Sequence, residues 1–294
     1  MDEMILPVFY FVDTFCNILE EETKCLPLEP KTRLKSMHKS EIMTICVLFH
    51  LSGYKCFKYF YKFVCKNMKL EFPKLVSYQR FVTISQEIKE DLYYLILIIP
   101  KFLNGNYIID STHIKVCHNK RIYSHSIFKN LAARGKSTMG WFFGFKLHIV
   151  INDRAEIMNF SFTKGNVDDR FVVENMVKNL KGKLFADRGY ISEKLFKALW
   201  DSGLHLIHGI RKNMKPKIMT KHDSDKLNKR NLVESVFNVL KNVNQLQHTR
   251  HRSTKNGFIN MLSSLAVKSQ VNDSSIISVP RQHRIIYTSC LINQ

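Results

Sequence analysis

The sequence has no Cys-x-x-Cys pair. Its seven cysteines, at 16, 25, 46, 56, 65, 117 and 290, are odd in number and scattered. That pattern suggests neither a disulfide scaffold nor a zinc ribbon and reads as reduced, mostly buried thiols. Long apolar runs are also missing. The longest, Leu92 to Ile99, stops at Pro100, far short of the ~20 residues that span a bilayer. The start carries Asp2 and Glu3 where a signal peptide has basic residues, so a cytoplasmic location and no membrane partner are expected. Neither an internal repeat nor a low-complexity segment is found. Acids are scarce: 25 Asp+Glu stand against 45 Lys+Arg, a net charge of +20. Such an excess repels itself in a compact chain unless a polyanion offsets it. Nucleic acid is the leading partner, an anionic membrane surface the runner-up, and a solvated basic surface the bland alternative.

What is present is a folded chain of 294 residues, 45% hydrophobic, with 21 Phe. Residues 1–104 read as helical. Segment 40–53 starts at Ser40 as N-cap and ends at Gly53, segment 54–68 interleaves Lys with aromatics, and segment 77–99 continues at helical spacing. Short helices with Lys and aromatic side chains suit a DNA-binding domain. From residue 105 the pattern changes. "YIID" (107–110) predicts a short strand. In 142–152, Phe143, Phe145, Leu147, Ile149 and Ile151 alternate with Lys146 and His148, a strand that pairs with 156–165 as a hairpin. A helix follows, with Asp168 or Asp169 at its start, then a strand over 183–187, a helix over 192–203, a strand over 204–210 and one long helix over 223–243. This order predicts an α/β fold, a mixed sheet flanked by helices over 105–268, behind an all-helical domain of 1–104 and before a tail of 269–294.

Three carboxylates are placed alike or complementarily. Asp110 ends the strand "YII" and Asp187 ends "KLFA". Residues at the carboxyl ends of adjacent strands converge on a ligand crevice. Acids held close repel, and a divalent cation such as Mg2+ or Mn2+ relieves them. Glu234 is the third candidate, with Arg230 four residues before it and Lys241 seven after, all on one face if the helix is continuous. An Arg–Glu pair on a solvated face is the plainer reading of that spacing.

"IIDSTHI", "LFADRGYIS" and "KRNLVESVFNVLK" resemble the three acidic motifs of DDE transposases of bacterial insertion sequences, in the ribonuclease-H-like, integrase-like superfamily. "CHNKR", "FGFKLH", "GNVDDR" and "RHRSTKNG" fit the same resemblance, which spans roughly residues 40–267. Arg230, Glu234 and Lys241 match a family signature whose usual Tyr is replaced here by Leu227. The resemblance implies a ribonuclease-H-like catalytic domain in which Asp110, Asp187 and Glu234 hold two Mg2+ or Mn2+ ions. It implies cleavage at the element ends and strand transfer into target DNA. The partners are double-stranded DNA, carrying the terminal inverted repeats or the target, and a second copy of the chain on that DNA. Arg188, Arg230, Lys241, Arg250, Arg252 and Lys146 are the expected DNA contacts, and His113 a further candidate at the phosphate. The implied location is a bacterial cytoplasm, beside the nucleoid.

Two other clusters carry less. His113, Cys117 and His118 lack the ordered spacing of a zinc site. "ARGKSTMG" (133–140) lacks the first Gly of a phosphate loop, since position 130 is Asn; it reads as a loop crossing DNA. Two alternatives to the transposase stand beside it: a metal-dependent endonuclease that cuts without joining, and a DNA-binding relic without activity.

Overall fold

In the computed structural model the chain divides into two compact units, Met1–Pro100 with Lys255–Gln294, and Lys101–Thr254. The structure describes residues 2–23, 37–99, 101–138, 140–210, 214, 219–248 and 250–271. Of the expected tail, 272–294 lies outside them.

The first unit is helical: α1 (Asp2–Thr23), α2 (Lys39–Leu51), α3 (Phe57–Asn67), α4 (Tyr78–Ile84), α5 (Lys89–Ile98) and α10 (Thr254–Val271). α2 is capped by His38, not Ser40: the His38 side chain accepts the Ser40 N–H, and Glu41 Oε2 accepts the His38 N–H at 2.7 Å. That is a capping box with an imidazole in the usual Ser/Thr place. Ser40 lies inside the helix, buried. The single helix expected over 77–99 is broken by a 3-10 turn at Ser85–Ile88. Phe57, Tyr61, Tyr78 and Phe81 pack as an aromatic cluster, with Tyr61 and Phe81 centroids 4.6 Å apart, so these rings are mainly core.

The second unit is built on one six-stranded sheet: β1 (Asn106–Cys117), β2 (Ala133–Ser137), β3 (Gly140–Asn152), β4 (Ile157–Lys164), β5 (Gly182–Ala186) and β6 (Leu204–His208). The path runs β2-β3-β1-β5-β6, with β4 also paired to β3. β1, β2, β3 and β4 pair antiparallel, while β1–β5 and β5–β6 are parallel. Helices α6 (Val173–Val177) and α7 (Glu193–Asp201) cover the core formed by Tyr107, Ile109, Val150, Leu184 and Leu206. α9 (Asn231–Asn238), preceded by α8 (Lys221–Asn228), packs on β1. This is the mixed sheet flanked by helices, behind a helical N-terminal region, that the sequence predicts. Among the described residues no helix is long and apolar enough to cross a membrane.

The expected alternation of β3 does not appear as one buried and one open face: from Phe142 to Asn152 every residue but Lys146 is buried, and His148 is fully buried, bonded to Thr163 Oγ1 at 2.8 Å. Gly144 in "FGFKLH" is required by packing: a Cβ there would overlap the Ile114 carbonyl of β1. The long helix expected over 223–243 is instead α8, α9 and a π turn at Val239–Val243. β1 runs to Cys117, so the strand does not stop at Asp110.

Candidate active site

Asp110 and Asp187 are brought to one level of the sheet. The parallel pairing of β1 and β5 ends at Ile108 opposite Phe185. Each aspartate lies two residues further along its own chain, so the two flank the carboxyl end of that ladder. β1 continues past Asp110 because it still pairs with β3, where Asp110 faces Ile149. Asp187 leaves the sheet and caps the 3-10 turn Arg188–Tyr190, its carboxylate accepting the Arg188 N–H at 2.7 Å.

Electrostatics tie the two acids together. Burial holds the Asp110 carboxyl up at about 6; the Ser111 N–H and the Arg230 charge pull it down, and the Asp187 and Asp169 carboxylates push it up again. Arg230 Nη1 lies 3.3 Å from Asp187 Oδ1. The buried Tyr190 hydroxyl is held far above its ordinary value, chiefly by burial and then by Asp110 and Asp169.

Glu234 stands apart. It is exposed in the first turn of α9, where Arg230 is the N-cap. Among the described residues no three His, Cys, Asp or Glu side chains gather closely enough to hold a metal ion. Arg230 and Glu234 share the first turn of α9, as the spacing predicts, but Lys241 lies in the π turn, whose wider winding interrupts the expected single helical face before it reaches Lys241. Lys241 instead nears β1, where its charge, after burial, helps push His113 down to about 4. His113 packs on Phe142 with centroids 5.1 Å apart.

Of the other expected DNA contacts, Arg188, Arg250 and Arg252 are exposed. Lys146 is partly buried and engaged within the fold: its Nζ donates to Asp169 Oδ1 at 2.7 Å and to the Val167 carbonyl at 2.8 Å. Asp169 completes a bridge by accepting the Ser111 hydroxyl at 2.9 Å. The sequence left Asp168 and Asp169 as alternative caps. Asp168 caps the 3-10 turn Asp169–Val172 and pairs with Arg170, which frees Asp169 to turn toward the acid pair.

Residues 102–254 match the family described as Transposase DDE domain. That is more than half of the chain, and the protein belongs to this family: it is a DDE transposase by descent. Among solved structures, a cryo-EM structure of a piggyBac transposase synaptic complex with hairpin DNA is similar over 98% of this chain and 77% of that one, at 12% identity and a TM-score of 0.46. A likeness that low carries nothing over. No curated protein matches the chain.

Proposed function

We propose that this transposase cleaves DNA strands at the ends of an insertion sequence and joins them to target DNA, with Asp110, Asp187 and Glu234 as the metal-binding acids. The observation that carries the reading is the position of Asp110 and Asp187, each two residues past the end of the parallel β1–β5 ladder, inside the matched family domain. Their donor set fits Mg2+ or Mn2+: hard carboxylate oxygens, one of them half-buried and destabilised as an anion. Glu234 is the third acid on this reading because it follows, by one helical turn, the Arg230 that already touches Asp187.

Held by Asp110, Asp187 and Glu234, two divalent ions would supply activation of a water or 3′-hydroxyl and neutralisation of charge on the leaving oxygen. The chain's own groups do the rest. Asp110 and Asp187 fix the position of the reacting phosphodiester from a rigid sheet. Arg230 offsets their charge when the site is open. Arg188, Arg250, Arg252 and Lys241 take the DNA backbone, and the basic excess draws duplex in. Lys146 holds Asp169 and does not contact DNA. The helical unit takes up terminal-repeat DNA, and two chains bridge the two ends.

The test is a labelled duplex ending in the element's terminal repeat, incubated with protein and Mg2+. Strand cleavage and joined products are expected from the wild type and neither from Asp110→Asn or Asp187→Asn, with DNA binding retained. Cleavage that survives Asp187→Asn overturns the acid assignment. Cleavage without joining selects an endonuclease.

A further inference from the structure

Away from the acids, the β2–β3 hairpin presents a half-exposed indole between two cations. Trp141 is 50% exposed. The Arg134 guanidinium lies 4.8 Å from its ring centroid and Lys136 Nζ 5.9 Å. The register explains the cluster: Lys136 pairs directly with Trp141, and Arg134 is two residues back on the same strand face. Both cations are exposed. Asn119 Nδ2 donates to the Trp141 carbonyl at 2.8 Å, so the backbone under the ring is tied down. A cation over an exposed ring returns only part of what burying the indole would yield, so packing alone gives little reason for this placement.

We propose that Trp141, Arg134 and Lys136 form a binding site for an unpaired nucleotide of DNA, the base stacked on the indole and its phosphate held by the two cations. A guanidinium stacked on an aromatic face keeps its N–H edge free to donate to phosphate, and every base offers a π-face, so the site is tolerant of sequence. In a duplex those faces are already stacked, so the ring selects unpaired DNA. The position suits a substrate engaged at the acids. Trp141 is eight residues along β3 from Ile149, the cross-strand partner of Asp110, and on the same strand face. At ~3.4 Å per residue that is about 27 Å, roughly the length of eight base pairs. The inference rests on the reading that the chain acts on DNA, and not on which acids carry catalysis.

The chain has two tryptophans, so Trp200→Phe leaves Trp141 as the sole indole reporter. The full-length variant is titrated with a single-stranded oligonucleotide, a blunt duplex, and heparin as a polyanion without bases, following both emission and binding anisotropy. Saturable quenching by the single strand, with heparin bound but unquenching, is expected. Trp141→Ala should weaken single-strand binding about tenfold and duplex binding less than about twofold, while Trp141→Phe stays within about threefold of wild type. Circular dichroism confirms that each variant is folded. Unquenched emission at saturating single strand, or equal losses for both DNA forms in Trp141→Ala, overturns the proposal. Quenching must persist in Asp187→Asn, which separates this site from the acid assignment. Absence of all DNA binding sinks both readings.

Discussion

The Arg230 guanidinium sits 3.3 Å from the Asp187 carboxylate and also lowers the pKa of Asp110. One cation therefore serves two acids that otherwise repel. Removing it must raise Asp110, since a lost positive charge disfavours the anion. In metal-free protein, Arg230→Gln is expected to shift the Asp110 midpoint above about 6, and Arg230→Lys to restore most of it. Carboxyl-carbon NMR titration reads the midpoint directly, and an unmoved value contradicts the charge coupling.

Asp110 also costs stability at neutral pH. Its carboxyl titrates at about 6 when folded against 3.8 as the ordinary value, so the folded chain holds the proton more tightly than the unfolded one. The penalty is absent below the ordinary value, grows between the two, and is complete above the folded value. It is on the order of 2–3 kcal/mol. Asp110→Asn is thus expected to melt higher than wild type at about pH 7.5, with the gain gone near pH 4. Added Mg2+ should raise the wild-type melting temperature and leave the variant unmoved. Equal melting of the two proteins at both pH values would falsify the penalty.

Much of this site was legible in the sequence, and the exceptions have physical causes. Asp187 is a local feature, an acid directly after an apolar strand, and it appears where the pattern puts it. Asp110 was legible as an acid at a strand but not as a mid-strand residue. The segment 111–117 keeps β3 as a partner after β5 has ended, and pairing across tens of residues leaves no local trace beyond Ile114 and Val116. The break at Lys229–Arg230 carries neither Gly nor Pro, so nothing in composition marked it. Asp168 and Asp169 are neighbours with equal capping propensity; what distinguishes Asp169 is distant in sequence, the Lys146 ammonium 23 residues away and the Ser111 hydroxyl 58 residues away.

The Lys146–Asp169 pair is partly buried, at 19% and 29% side-chain exposure, and Asp169 also receives Ser111. Removing either charge leaves the other with fewer partners in a poorly solvated place. Lys146→Met and Asp169→Asn should each destabilise the protein. The double variant should lose less than the sum, with a coupling of about 1–3 kcal/mol. Urea unfolding of the four proteins closes the cycle, and additive losses would show that the bridge contributes no coupling.

Burial also separates the cations that reach DNA from those that do not. Arg250 and Arg252 are exposed, whereas the Lys146 ammonium is spent on Asp169 and the Val167 carbonyl. Each phosphate neutralised on duplex DNA contributes about 0.9 to the slope of log affinity against log salt. Replacing both arginines by Gln is expected to flatten that slope by about 2. Lys146→Gln should leave the slope unchanged, even where it lowers stability. Anisotropy titrations between about 50 and 200 mM salt resolve a difference of that size. A flattened slope in Lys146→Gln would return that residue to the DNA surface, and an unchanged slope in the double arginine variant would remove Arg250 and Arg252 from it.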